Sequence, residues 1–338
     1  MAEANDPLAA DTFDDGDSAL GSHFSGSLMS LRSSVLAYES ENGRTYHALS
    51  AGKYIMPNDE PEKERLDMVH YIWVLTTGGR HVLCPKNDNA KRVLDIGTGT
   101  GIWAIEYADA HPDTEVVGVD LSAIQPTFVP PNCSFEVDDL EKDWTWSKPF
   151  DLIFARSMIA SFTDWPSFMA KAFKQLEPGG YLELHDHSFP IRCDDNTLPR
   201  DTPILQWTEL IIEACDKIGR ECTVALRFKE MMEAAGFEDV VEKVFKWPTN
   251  AWPRDHKYKE LGAWSLAAGL QGIEAMTLAL FTRVLGWSQE QTLAFCAEVR
   301  NNMKSPKIHG YWAVYMVYGR KPLNVSAAES AAIETVAA

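Results

Sequence analysis

The sequence predicts an α/β fold built on a doubly wound parallel sheet. Three observations carry the prediction. Apolar strand-like runs alternate with segments of helical periodicity. A loop with three glycines at every second position joins the first of these runs to a helix. An acid closes the next run 19 residues beyond the last of those glycines, the spacing of a nucleotide-type cofactor site at the carboxyl edge of such a sheet.

The first strand and its loop read Val93-Leu94-Asp95-Ile96-Gly97-Thr98-Gly99-Thr100-Gly101, and Ile102-Trp103-Ala104-Ile105 opens the helix. Glycine allows positive φ and close approach of a ligand to the backbone. The helix start offers free N–H groups. A dinucleotide loop has G-x-G-x-x-G spacing and reserves the helix end for a pyrophosphate. Here the spacing is G-x-G-x-G behind an acid, and no G-K-[ST] follows. Asp95 would repel a pyrophosphate but could hold a cationic amino group, directly or through water. A cationic, phosphate-free adenosine ligand fits this loop better. The plain alternative is an ordinary strand–helix turn.

The second strand, 115–120, ends in Asp120 with Leu121 behind it. Asp120 is placed to accept from both ribose hydroxyls, unless it only caps a helix opening at Leu121-Ser122-Ala123. A third strand, 134–137, leads into Asp138-Asp139-Leu140. One acid could accept from an adenine amino group while Leu140 packs on the ring; a polar turn is the plain reading. The strand at 150–156 ends in Arg156, with its exit beside the glycine loop. Residues 164–176 have helical periodicity through Trp165, Phe168, Met169, Ala172 and Phe173, and Glu177-Pro178-Gly179-Gly180 stops the helix. Residues 181–185 form a fifth strand.

In this order these segments resemble the core of the class I S-adenosylmethionine-dependent methyltransferases, over about residues 91–186. Tyr54-Ile55-Met56-Pro57-Asn58-Asp59-Glu60 and the stretches 119–132 and 279–287 resemble more narrowly the fungal LaeA-like group, over about 46–322. The resemblance implies a Rossmann-like, doubly wound seven-stranded sheet with an antiparallel last strand and helical cap insertions. It implies S-adenosyl-L-methionine as cofactor and S-adenosyl-L-homocysteine as product. It places the cofactor on Tyr54, Asp95, Gly97, Thr98, Gly99, Gly101, Asp120, Leu121, Asp138, Asp139, Leu140 and Arg156.

The segments around the core are expected to shape the acceptor site. Residues 59–75 read as a helix capped by Asp59, with Pro61 near its start and Leu66, Val69 and Trp73 on one face. Tyr46, Tyr54 and Met56 ahead of it could touch the methionine end of the cofactor. Helices are expected at 203–218 and 228–235, and a strand at 237–247. The 61 residues of 248–308 then separate that strand from the last one, 311–317, too many for a structureless loop. They read as three helices, 258–270, 273–284 and 288–302, the last with Ser288 and Gln291 in capping-box positions. The expected organisation is an acidic disordered segment (1–40) and a helical lid (41–90). The core follows (91–247 with 309–320, carrying an insertion at 187–223), then a helical cap (248–308) and a disordered tail (323–338).

Methyl transfer asks mainly for alignment of the nucleophile with the donor. Candidates for a base are His185, Asp186 and His187, with strand alternation sending His185 and His187 to one side. His309 and Tyr311 are secondary candidates. A structural role is the plain reading of each, and an acidic acceptor needs no base. Trp207, Trp247, Trp252, Trp264 and Trp312 suit an apolar or aromatic small-molecule acceptor.

Bulk properties narrow the field. Hydrophobic content is 45%, ample for a core, and no stretch approaches 18 uninterrupted apolar residues. A net charge of −18 argues against direct binding of nucleic acid or of anionic membrane surfaces. Six cysteines without a C-x-x-C pair read as reduced thiols, with no metal site. No secretory signal is read, so a cytoplasmic or nuclear location is expected. Three functions remain: a methyltransferase of secondary metabolites, a LaeA-like regulator acting through protein partners, and a methyltransferase fold without methyl transfer. An enzyme predicts an enclosed pocket beside the donor; a partner-binding regulator predicts an exposed apolar patch on the cap.

Overall fold

The computed structural model describes residues 38–50 and 52–323. The segments expected to be disordered, 1–40 and 323–338, lie almost wholly outside the described residues. The described chain opens on a hairpin, β1 (Glu39–Glu41) and β2 (Arg44–Tyr46). Asn42 and Gly43 take φ of 51° and 77°, as an Asn-Gly hairpin turn requires. The sequence reading places no strand here, although the Asn-Gly pair is its signal.

Helix α1 (Glu60–Thr77) forms where expected. Asp59 accepts from the Glu62 N–H at 3.2 Å, and Arg44 of β2 grips the same carboxylate at 2.5 Å, so hairpin and helix are tied.

The main sheet has seven strands: β3 (Arg92–Ile96), β4 (Glu115–Asp120), β5 (Cys133–Val137), β6 (Phe150–Arg156), β7 (Leu176–Arg192), β8 (Glu238–Pro248) and β9 (Tyr311–Arg320). Their spatial order is β5-β4-β3-β6-β7-β9-β8. The first five pair in parallel, and β9 is antiparallel to both β7 and β8. This is the expected sheet with its antiparallel last strand. The chain reverses its direction of travel across the sheet between β3 and β6, the place where such sheets bind ligands.

Both faces are covered. On one, α2 (Ile102–Ala110) stacks Trp103 on Phe154 of β6, ring centroids 4.0 Å apart. On the other, α3 (Trp165–Gln175) and α5 (Phe228–Ala234) bury Phe168, Phe173 and Phe228 among Leu94, Ile153 and Leu182. A further core lies under α1, α4 (Pro203–Lys217), α6 (His256–Arg283) and α7 (Gln289–Lys304). There Trp207 donates to Thr277 Oγ1, and Trp247 to Thr76 Oγ1, each at 2.8 Å.

Two expectations are corrected. The Glu-Pro-Gly-Gly signal ends α3, but the chain does not leave the sheet. Gly179 N–H donates to the Lys321 carbonyl and Lys321 N–H to the Gly180 carbonyl, so these residues begin β7, which continues to Arg192. His187 therefore sits inside a strand. The two cap helices expected at 258–270 and 273–284 are one helix of 28 residues, α6. Its glycines do not break it, because they are contact points. A Cβ on Gly262 would lie 2.1 Å from the Asn250 carbonyl oxygen, and one on Gly269 2.6 Å from Met303 Cε. Helix α6 has the length and composition of a membrane span, yet 56% of that window is buried inside the protein.

Candidate functional site

Two cavities meet at the carboxyl edge of the sheet. The first, about 900 Å³ counted to its open mouth, lies over the glycine loop. Nine of the predicted cofactor residues line it: Tyr54, Gly97, Gly99, Asp120, Leu121, Asp138, Asp139, Leu140 and Arg156. Asp95, Thr98 and Gly101 do not, and each has a structural reason. Asp95 is 3% exposed beneath the loop and accepts from Thr98 Oγ1 at 2.6 Å. Burial pushes its carboxyl up to about 7. The pair shapes the loop from below, and of the two ways to meet a cationic group, direct contact is the one this geometry withholds. Gly101 opens α2 at φ 80°, and a Cβ there would lie 2.4 Å from the Phe135 ring.

Asp120 ties two loops together. One carboxylate oxygen accepts from the Gly99 N–H and the other from the Ser122 N–H, each at 2.9 Å. Burial raises its pKa against those two donors. Each oxygen retains a second lone pair for a ligand hydroxyl. The neighbouring acids divide their work. Asp139 is taken up by Lys53 Nζ at 2.7 Å and Ser50 Oγ at 2.8 Å, which pin the segment ahead of α1 over this end of the cavity. Burial acts to raise its pKa, and these bonds outweigh it, leaving it lowered. Asp138 accepts from the Asp139 N–H with Oδ1 alone. Its Oδ2 has no partner among the described residues and is available to a donor.

Arg156 stands at the other end. Its one hydrogen bond among the described residues is to His70 Nδ1 at 3.0 Å. Burial, with the Arg156 charge, holds that histidine down to about 3, so its partner is neutral. Burial also lowers Arg156 itself to about 10, against the attraction of Asp95 and Glu106. An enclosed guanidinium without a bonded carboxylate is suited to an anionic ligand group.

The second cavity, about 1110 Å³ on the same measure, lies between α1, α4, α6 and the ends of β7–β9. Its wall is mostly apolar, with Ile72, Trp207, Trp247, Leu280 and Trp312 among its residues. The two cavities share Tyr54, Met56, Leu66 and Ser157. Tyr54 is thus at the junction, and burial raises its phenol above the usual range. Tyr46 is not there: it packs under the Arg283 guanidinium, 4.8 Å from the ring centroid.

The structure separates the predicted bases. His187 lines the second cavity. Burial and the nearby Arg65 hold its imidazole down to about 4, so it is neutral and able to accept a proton-bearing group. His185 lies deeper, 2% exposed, with Nε2 2.6 Å from Glu183 and its ring stacked on Trp73. It lines neither of the two cavities. Asp186 accepts from the N–H groups of Met158 at 2.5 Å, Ile159 at 2.8 Å and His187 at 2.9 Å. Burial pushes it up to about 7 against those donors. It anchors the loop that packs on Gly97, where a Cβ would lie 2.2 Å from Met158 Sδ. His309 pairs with Asp195, and Tyr311 donates to Asp194, both away from the cavities. Of the five tryptophans, Trp252 stacks on His309, and Trp264 lies at the surface against Tyr71.

Sequence reasoning missed several lining residues. Lys53, Asn58 and Glu62 border the first cavity; Arg65 and Ser265 border the second. Asn58 lies in the Tyr-Ile-Met-Pro-Asn-Asp-Glu motif, from which the sequence reading takes only Tyr54 and Met56 toward the cofactor and Asp59 as a helix cap. Among the described residues no group of three or more His, Cys, Asp or Glu could hold a metal ion.

Comparison with known proteins is consistent over the whole of this architecture. A family model described as "Methyltransferase domain" matches residues 70–242. The methyltransferase pytC of Aspergillus terreus is 40% identical over 297 residues, 88% of this chain and 92% of that protein. The secondary metabolism regulator LAE1 of Cochliobolus heterostrophus is 37% identical, over 83% of this chain and 94% of that one. A probable methyltransferase of Emericella nidulans, tdiE, is 35% identical, over 77% and 82%.

Proposed function

Because the chain belongs to the S-adenosylmethionine-dependent class I methyltransferases, in their fungal LaeA-like group, we propose that it methylates a small, apolar secondary metabolite. The observation that carries this reading is the junction of the two cavities. One has the polar groups an adenosine-type cofactor requires, the other is lined mostly by apolar side chains, and they meet at Tyr54, Met56, Leu66 and Ser157.

The first cavity fits S-adenosylmethionine group by group. Asp120 takes the ribose hydroxyls, and Asp138 Oδ2 the adenine amino group, with Leu140 against the ring. Arg156 pairs with the carboxylate of the methionine end. Asp95 acts on the ammonium group from beneath the loop. The cofactor supplies a methyl group already activated on a sulfonium. The chain then has to hold the acceptor atom in line with that methyl group and keep water out. The apolar wall performs the second task, and the neutral His187 imidazole on that wall can accept a hydrogen bond from an acceptor that carries a proton.

LAE1 is a regulator by name, and a regulatory role through protein partners is the second reading. The apolar cavity next to the cofactor cavity favours the enzyme. On the cap the large exposed aromatics are Tyr258 and Trp264, and the latter is covered in part by Tyr71.

Titration calorimetry with S-adenosylhomocysteine tests the cofactor assignment. Binding is expected, and Arg156→Met should weaken it about tenfold, the loss of one charge-assisted pair. No binding to the unaltered protein would overturn the reading.

A further inference from the structure

We infer that the acceptor atom is an acidic oxygen, that of a carboxylic acid or phenol, received as its anion by Arg65. The inference rests on the cofactor assignment above. Arg65 is the one side chain of fixed positive charge on the wall of the apolar cavity. Its Nε and Nη2 donate to the two oxygens of Glu62, at 2.9 and 2.6 Å. Nη1 has no partner among the described residues, which leaves donors for a ligand. Glu62 faces the other way, on the wall of the cofactor cavity.

A charge count decides the class of acceptor. The Arg65–Glu62 pair is neutral as it stands. A bound sulfonium adds one positive charge to a junction whose other residues, Tyr54, Met56, Leu66 and Ser157, are uncharged. An oxyanion on the apolar wall is attracted by both the sulfonium and Arg65, whereas an ammonium would be repelled by both and finds no acid on that wall to pair with. His187 is neutral and cannot serve as the countercharge.

The step balances without a further reagent. A carboxylic acid or a phenol enters as its anion, its proton left to bulk water. An oxygen lone pair forms the O–CH₃ bond as the S–CH₃ bond breaks, and that bond's electron pair stays on sulfur. Anion and sulfonium are both neutralised, so the attraction that assembled the complex is gone from the products.

A second polar group marks the far end of the acceptor. Ser265 Oγ is buried without a hydrogen-bond partner and borders the same cavity. Arg65 packs against α6 at Gly272, whose Cβ would lie 3.2 Å from Arg65 Cδ. Seven residues of helix separate Ser265 from Gly272, about 10 Å at 1.5 Å per residue. An acceptor with its acidic oxygen at Arg65 and a hydrogen-bonding group toward Ser265, about two helical turns along α6 from Gly272, meets both.

The test is calorimetric titration of the full-length protein at pH 7.5 with 2-naphthoate and with neutral 2-naphthamide. It is done once with S-adenosylhomocysteine bound, and once with an analogue that carries an ammonium in place of the sulfonium. With the charged analogue, naphthoate should bind at least about tenfold more tightly than the amide, and the preference should be smaller with S-adenosylhomocysteine. Arg65→Gln should abolish it. Arg65→Gln/Glu62→Gln, which leaves no unpaired buried charge, should abolish it equally. Equal binding of the two compounds, or a preference that survives both variants, overturns the inference while leaving the cofactor assignment intact. Failure of S-adenosylhomocysteine itself to bind would overturn the reading beneath it.

Discussion

Asp120→Ala is expected to weaken S-adenosylhomocysteine binding by about 2 kcal/mol, roughly thirtyfold. Two effects add. The ribose hydroxyls lose an ionic acceptor. The Gly99 and Ser122 N–H groups, each 2.9 Å from that carboxylate, lose the bonds that fix the loop after β3 against the turn after β4. Asp120→Asn keeps one acceptor oxygen and should lose less. Calorimetry on variants that unfold at the parent temperature checks this. Unchanged affinity in Asp120→Ala would mean that the ribose lies elsewhere.

Glu183→Ala is expected to cost about 4 kcal/mol of stability, the largest effect of any single substitution proposed for this chain. Glu183 is fully buried in the middle of β7. It accepts from the Leu83 N–H at 2.7 Å, the Cys84 N–H at 2.8 Å and His185 Nε2 at 2.6 Å. Alanine would leave two buried backbone donors and an imidazole without partners, and a cavity beneath them. A domain holds only about 5–15 kcal/mol in total, so much of the margin would go. Glu183→Gln keeps one oxygen and should cost less. Urea unfolding measures the difference, and a loss below about 1 kcal/mol would contradict the account.

Glu183 also shows where sequence reasoning stops. The run Leu182-Glu183-Leu184 announces a buried acid, but its two backbone donors lie about a hundred residues earlier, in an irregular segment with no periodicity to read. The same holds for Arg65, whose importance comes from α6, two hundred residues away in sequence. The glycine loop, Asp120 and the Asp138-Asp139-Leu140 turn were legible because each signal is local: a backbone that needs glycine, or an acid at a strand end. Even there, distance in space decides the roles. Asp139 looks equal to Asp138 in sequence, and only Lys53 and Ser50, reaching in from the segment ahead of α1, set them apart. His185 and His187 likewise share a strand face, yet Trp73 and Glu183 close over one and leave the other on the cavity wall. The gap between the helices expected at 258–270 and 273–284 falls at Gly272, which is where Arg65 approaches the single helix α6, as Met303 does at Gly269.

On the proposed function the methyl group goes to a small molecule held in the apolar cavity. The most direct measurement incubates the purified full-length protein with methyl-labelled S-adenosylmethionine and an extract of fungal secondary metabolites. Low-molecular-mass and protein fractions are then counted separately. The account predicts label in a small molecule, and its loss in Asp120→Ala. Label confined to protein, or none in either fraction while S-adenosylhomocysteine still binds, would contradict it.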